Sequence, residues 1–153
     1  LKIENQQPMN AIKSIIIRPE KRGLVHHVAS AKIQGHGIEG DHYGKPEGHR
    51  HVTLIAADDL ATVAGIIGFQ GDAHAACRRN VCVDKLPDGD LTGKQISLGH
   101  DVIVEVTGYC TPCNRMNENF GAGAVDAFSG RAGWTAKVIR EGQIIVGDPV
   151  AVG

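Results

Sequence analysis

The run Ala11–Arg18 (AIKSIIIR) is rich in β-branched residues and predicts a strand, stopped by Pro19, which has no N–H for a ladder. Leu24–Ile33 (LVHHVASAKI) predicts a second, patchier strand, and Val52–Ile55 (VTLI) a short one. Between them, Gly35–His51 (GHGIEGDHYGKPEGHRH) carries five glycines and a proline in seventeen residues. That composition predicts a long loop, and loops of that length often carry function. Ala56–Ile67 (AADDLATVAGII) predicts a helix. Leu60, Val63, Ala64 and Ile67 recur at i, i+3, i+4 and i+7 and so line one face. Asp58 and Asp59 suit its first turn, and Gly68 follows as a stop.

Beyond His74 the pattern is β. Asn80–Val83 (NVCV) is a short strand, followed by the turn Pro87-Asp88-Gly89. Gln95–Leu98, a Gly99-His100 turn and Asp101–Thr107 predict a hairpin. Asn114–Phe128 predicts short helices broken at Gly121 and Gly123. Trp134–Arg140, a Glu141-Gly142 turn and Gln143–Val146 predict another hairpin, and Gly147-Asp148 turns into Pro149–Val152. Many short strands joined by glycine turns predict a mainly β, α+β fold: a closed or nearly closed β-barrel with short peripheral helices. Residues 1–10 read as a loose lead-in and 11–153 as one domain, without repeats or low-complexity linkers.

Composition narrows the picture. Apolar residues make up 42% of the 153 and aromatics only 4%, so the core rests on Val, Ile, Leu and Ala. Twenty glycines oppose a helix bundle, because glycine weakens helix interiors. Sixteen basic and seventeen acidic residues give a formal charge of −1, so no general attraction to nucleic acid or an anionic membrane is expected. No apolar run approaches the length of a bilayer span. The start, LKIENQQPMNAIK, is polar and unlike a signal peptide, so the cytoplasm is the expected compartment.

The four cysteines include the pair Cys110-Thr111-Pro112-Cys113. With Cys77 and Cys82 the pair could form a four-thiolate zinc shell, although the spacing of the first two is unusual. A strand entering Cys-x-x-Cys and then a helix also resembles a thioredoxin-like redox pair, but the surrounding hairpins oppose that fold. The plainest reading is burial, since free cysteine is among the most buried residue types. It suits Cys82, between two valines, better than Cys113, which follows Pro112 and precedes Asn114 and Arg115.

Basic residues cluster at three predicted strand ends: Lys45, His49, Arg50 and His51; Arg78, Arg79 and Asn80; and Arg115 beside the cysteine. If the fold brings them together they form an anion site, with guanidinium forks matched to phosphate. His36, His42, His49, His51 and Asp41 could instead hold a metal, but they lie in one loop without a ligand spacing.

The motifs occur in a recognisable order. Gly40-Asp41-His42 is followed by Arg50-His51-Val52-Thr53-Leu54, Arg79-Asn80 and Leu91-Thr92-Gly93. Then come Ile96-Ser97-Leu98-Gly99-His100-Asp101-Val102, Pro112-Cys113 and Gly142-Gln143-Ile144-Ile145-Val146-Gly147-Asp148. From about residue 11 onward the chain resembles the MOSC domain, found at the C-terminus of molybdenum-cofactor sulfurases, in small stand-alone proteins and in amidoxime-reducing enzymes. Many small relatives have Glu-Asn where this chain has Arg79-Asn80, a form nearer the larger members. The resemblance implies a β-barrel-like fold and one functional cysteine, Cys113, which ligates molybdenum or carries sulfur as a persulfide. It further implies that Arg50 and Arg79-Asn80 hold the cofactor phosphate or pterin, and it leaves Cys110 outside the pattern. Pyridoxal phosphate, which serves the aminotransferase-like half of the sulfurases, is not expected here.

The leading expectation is therefore a protein that binds the molybdenum cofactor or carries sulfur for transfer to a metal–sulfur acceptor. Cys113 is the metal-ligating or sulfur-donating thiolate, and Arg50, His51, Arg79, Asn80, Arg115 and Lys45 bind the cofactor. A cysteine desulfurase or a redox protein is the expected partner. The alternative is a non-catalytic module that binds a phosphorylated small molecule or a partner protein. A third option is a molybdenum-dependent reductase of N-hydroxylated compounds that needs an external electron donor. Whether the chain is an enzyme stays open.

Overall fold

The computed structural model describes residues 10–153, so the expected lead-in lies outside the described residues except for Asn10. The chain runs β1 (Ile12–Ile17), β2 (His26–Val28), β3 (Ser30–Gln34), β4 (Gly37–Ile38), β5 (Val52–Ala56), α1 (Ala57–Ile67), α2 (Ala73–Cys77) and β6 (Val81–Val83). It continues β7 (Gln95–Leu98), β8 (Val102–Tyr109), α3 (Asn114–Phe120), α4 (Ala124–Ala127), β9 (Trp134–Arg140), β10 (Gly142–Ile145) and β11 (Val150–Val152). The architecture is mainly β with short helices.

Eight strands form one sheet in the order β11-β7-β8-β9-β5-β6-β1-β2, and β10-β3-β4 form a second. The sheet pairs are antiparallel except β5 with β6, which run parallel and are linked through α1 and α2. The expected barrel is not found, because neither sheet closes on itself. The large sheet ends at β11 and β2, and a single bridge, Ala11 to Pro149, spans from the start of β1 to the start of β11. The bridge is closed by Ile12 N–H to Asp148 O at 2.9 Å and Val150 N–H to Asn10 O at 2.8 Å, and among the described residues no further pair extends it into a ladder.

The expected hairpin of β9 and β10 is also corrected. β8 holds one edge of β9 along its length, and β5 holds the other at Trp134–Ala136. β10 crosses to the small sheet and pairs with β3. The patchy segment Leu24–Ile33 also divides between the sheets: β2 pairs with β1, and β3 with β10 and β4.

All five residues of β5 are buried, since both of its faces are covered. Strand alternation sends Leu54, Val81 and Val83 into a core shared with Ile33, Ile38 and Ile144 of the small sheet. The intervening Ile55 and Cys82 enter a second core beneath the helices, with Leu60, Val63, Met116, Phe120 and Phe128. α1 stops as its sequence predicts, with Gly68 in the left-handed conformation and its N–H bonded to the Ala64 carbonyl. α2 escapes sequence patterning because five residues show no period. Its cap is local: the Asp72 carboxylate accepts the Ala75 N–H at 3.0 Å.

Gly133 enters β9 at φ +87°, and a Cβ there would collide with the Leu54 carbonyl of the central strand. Gly133→Ala is expected to cost more than about 2 kcal/mol, from left-handed strain and backbone displacement together. Urea denaturation would register this as a fall in midpoint, whereas Gly65→Ala, with open space at that position, should not fall.

Candidate anion-binding cleft and its cysteine

Arg18 follows the apolar run of β1 directly, which carries a guanidinium to a buried strand end. Its backbone N–H and Nε donate to Asp41 Oδ1 at 2.7 and 3.1 Å, and Nη2 donates to Oδ2 at 2.8 Å. The side chains of Arg18 and Asp41 are 5% and 0% exposed. Burial pushes the Asp41 carboxyl upward, but the Arg18 guanidinium and backbone N–H groups outweigh it and hold Asp41 below the usual carboxylate range.

Asn80 completes this network. Its Oδ1 accepts from Thr53 N and Oγ1, each at 3.1 Å, and from Arg18 Nη2 at 3.3 Å. Its Nδ2 donates to Ile16 O and to Asp41 Oδ1. Asn80 is wholly buried, so its amide ties strands together and does not face a ligand.

Beside this network opens a cleft of about 570 Å³. Cys113, Arg50, Arg79 and Arg115 line it, so the fold brings these four predicted residues together from distant stretches of chain. Cys113 is exposed and sits at the residue before α3. Arg79 is anchored, its Nε donating to Ala132 O at 2.9 Å and its Nη1 to Cys77 O at 3.1 Å. Arg50 lies over Tyr43, 5.3 Å from the ring centroid, and its buried Nε has no hydrogen-bond partner among the described residues. Arg115 Nη1 donates to the Lys21 carbonyl at 3.3 Å.

The other predicted residues lie elsewhere. His51 is buried behind the cleft, its Nδ1 accepting the Val138 N–H at 2.9 Å and its Nε2 left without a partner. Lys45 lines a separate depression with Pro46, Glu47 and Gly48. Cys110 is buried, with its sulfur 4.0 Å from Arg50 Nη2. Burial pushes the Cys77 thiol up to about 11 and the Cys82 thiol up to about 12. The four thiols form no disulfide. Among the described residues no three of His, Cys, Asp or Glu gather as a metal site, so neither the four-thiolate shell nor the histidine-loop site is assembled.

Sequence reasoning missed the Arg18–Asp41 pair and the lining residues Lys21, Arg22 and Tyr43. The available signals were a charge ending an apolar strand and the basic turn Glu20-Lys21-Arg22-Gly23. It also missed how Arg78 acts. Arg78 is the one non-glycine residue with positive φ among the described residues, at 59°. Its guanidinium reaches the carbonyls of Gly23, Glu20 and Lys21 at 2.6, 3.2 and 3.1 Å and so fastens that turn against the cleft. The tight bend into β6 is held by His74, whose Nε2 donates to Arg79 O at 2.7 Å while its Nδ1 meets the Ser14 hydroxyl. Among the described residues, none of Lys21, Arg22, Arg50, Arg78, Arg79 and Arg115 forms an ion pair with a carboxylate.

A β-rich domain with an exposed thiol in a cationic cleft defines the class. The chain belongs to the MOSC domain family, whose model matches residues 26–151, a span that includes every cleft residue except Arg18, Lys21 and Arg22. No curated protein matches it. The fold is similar to the crystal structure of the YuaD protein from Bacillus subtilis, with a TM-score of 0.79 at 20% identity over 94% of this chain and 96% of that one. It is also similar to YiiM from Geobacillus stearothermophilus, with a TM-score of 0.75 at 18% identity over 94% and 75% of the two chains. YiiM from Escherichia coli gives 0.69 at 18% identity over 95% and 70%. At these identities the likeness is one of fold. No helix among the described residues is long and apolar enough to cross a membrane.

Removing one partner of a buried ion pair strands the other, so Asp41→Ala is expected to cost about 3–5 kcal/mol. Chemical denaturation at neutral pH measures this directly. His74 gives a pH signature as well. Burial pulls it from 6.5 down to about 4, so the unfolded chain takes up a proton that the fold refuses. Stability contributed by neutral His74 is complete above 6.5 and is lost as pH falls toward about 4. Denaturation series across that window should show the loss in the wild type, with a shallower dependence in His74→Asn.

Proposed function

We propose that the cleft binds a molybdenum cofactor or a closely related phosphorylated pterin, with Cys113 as its sulfur contact. The observation that carries this reading is the buried Nε of Arg50, unpartnered among the described residues, in a cleft that the exposed Cys113 also lines. A buried donor without an acceptor costs roughly 1–3 kcal/mol, and a phosphate or pterin oxygen would relieve it. The donor set fits such a group. Arg50, Arg79 and Arg115 suit an anionic phosphate, and Arg50 is steadied over the Tyr43 ring at the cleft wall. When bound, the cofactor would supply a soft, sulfur-bearing metal centre of the kind that accepts a thiolate.

The chain's own residues then have distinct tasks. Arg79 arrives with two donors fixed on backbone carbonyls, so little side-chain entropy remains to be lost on binding. Arg78 holds the turn that presents Lys21 and Arg22. Asn80 and His51 act from behind, as supports of β5 and β6 and of β9. Cys113 either ligates the metal or holds an outer sulfur for transfer to an acceptor. In the transfer role, the donor would be a cysteine desulfurase or similar partner. The exposure of Cys113 favours either role over the simple binding module, in which all four thiols would serve packing alone.

The test is elemental analysis of protein purified without chelator from a host that makes the cofactor, together with thiol-selective mass analysis for bound sulfur. Cys113→Ala is expected to abolish bound molybdenum or bound sulfur. Arg50→Met is expected to lower cofactor affinity by about 10–100-fold, the range for a hydrogen bond to a charged group. If cofactor content and bound sulfur are both unchanged in Cys113→Ala, the reading fails.

A further inference from the structure

The cleft does not end at Arg115. A second open lobe of about 690 Å³ adjoins it and shares Arg22, Arg78, Arg115 and Glu118 with the first. Its remaining walls are of a different kind. Leu24, Val25, Ala75 and Ala76 give it an apolar side, and Leu24 is 82% exposed, with nothing among the described residues covering it. The Asp72 carboxylate, already held by His27 and the Ala75 N–H, and the amide of Asn119 also line it, and Glu118 stands where the two lobes meet.

The charge exceeds what one phosphate needs. Arg18, Lys21, Arg22, Arg50, Arg78, Arg79 and Arg115 line the first lobe; less the carboxylates of Asp41 and Glu118, they leave an excess of five positive charges. A phosphate monoester brings only about −1.5 to −2 near neutral pH. The whole chain has a formal charge of −1, so this concentration is local. It is also crowded. Burial and then the charges of Arg115 and Arg18 hold Arg78 below the usual guanidinium value. The bonds of Arg78 run to neutral carbonyls, which satisfy its donors without cancelling its charge. Its left-handed backbone is a local strain of a kind that concentrates at ligand sites.

We infer that the two lobes form one site for a diphosphate-bridged ligand of the nucleoside diphosphate class, its bridge on Arg22, Arg78 and Arg115 and its nucleoside in the second lobe. The negative charge of Asp72 and Glu118 disfavours further phosphate there, and the Glu118 carboxylate and the Asn119 amide oxygen suit the amino groups of a base. The apolar wall suits the base's face. This inference rests on the phosphate half of the proposed function and is independent of Cys113.

The experiment is calorimetric titration of the full chain with orthophosphate, inorganic pyrophosphate and the diphosphates of guanosine, cytidine, adenosine and uridine. At least one nucleoside diphosphate is expected to bind about tenfold or more tighter than pyrophosphate, and pyrophosphate tighter than orthophosphate. Ala76→Trp should fill the second lobe and remove the nucleoside's advantage while leaving pyrophosphate affinity in place. Leu24→Ala, at a side chain already in solvent, should reduce that advantage without a folding cost. Arg22→Ala should weaken both ligands, and Cys113→Ala neither. If no nucleoside diphosphate binds tighter than pyrophosphate, or if the Leu24 and Ala76 variants bind as the wild type does, the inference is overturned, whatever the molybdenum content shows. If none of the phosphates binds, the phosphate reading beneath both proposals falls, and the role of Cys113 is judged on metal and sulfur alone.

Discussion

The cleft depends on one buried ion pair made tolerable by an amide. Two charges taken out of water repel burial strongly unless their remaining donors and acceptors are met. Here Asp41 accepts from Arg18, from the Tyr43 N–H and from Asn80, while Asn80 also bonds Thr53 of β5 and Ile16 of β1. The Asn80 carbonyl in turn accepts the Ile16 N–H at 2.8 Å. The network therefore locks the long loop that carries Asp41 onto the ends of three strands. Because Asp41 cancels Arg18, that arginine is a structural cation. Its free direction is used on the protein, since Nη1 donates to the Arg78 carbonyl at 3.1 Å.

That contact transmits the network to the rim. With its carbonyl held by Arg18 and the Arg79 carbonyl held by His74, the chain bends sharply between α2 and β6. The bend separates two consecutive guanidiniums: Arg78 goes outward to the Glu20–Gly23 turn, and Arg79 goes inward to Ala132 and Cys77. Each is anchored by backbone carbonyls, which bind donors without neutralising charge. Among the described residues neither guanidinium is ion-paired, and both stay on one cleft, the condition for attracting an anion to a chain with almost no net charge.

Much of this was legible in the sequence where the pattern is local. The strands β1, β5, β7 and β8 and helix α1 follow from β-branched runs and a 3.6-residue period. Charge at strand ends marked Arg50, Arg79 and Arg115 as an anion site only on the condition that the fold joins them, and Cys113 lines the same cleft as all three. What was not legible is which edge each strand finds. β9 and β10 look like a hairpin, yet β9 pairs with β8 and β5 while β10 pairs with β3 in the small sheet. The barrel expectation has the same origin, since short strands and glycine turns do not say whether β11 and β1 meet by a ladder or by one bridge at Pro149. Arg79-Asn80 illustrates the limit at the site itself. Two adjacent polar residues read alike, yet alternation into β6 turns Asn80 wholly inward while Arg79 keeps a face on the cleft. Lys45 sits one loop turn away from the residues its charge would join.

The same alternation separates the thiols. Cys82 points beneath the helices from the middle of β6, and Cys77 is sealed at the end of α2 with its thiol bonded to the His74 carbonyl. Both are raised well above an ordinary thiol, so in the folded chain they behave as small apolar residues. Cys110 ends β8 on its buried side, beneath Arg50, where its N–H bonds the Gly133 carbonyl and continues the sheet. Thr111 and Pro112 carry the chain out of that register, and Cys113 emerges at the surface before α3 turns Met116 back into the core. The Cys-x-x-Cys spacing therefore spans the boundary between sheet and cleft, with one sulfur on each side. Of the two, Cys113 is the exposed thiol that an outside reactant meets, while Cys110 is buried against Arg50. The spacing records a strand leaving the core, and it leaves one exposed thiol on the wall of the cleft.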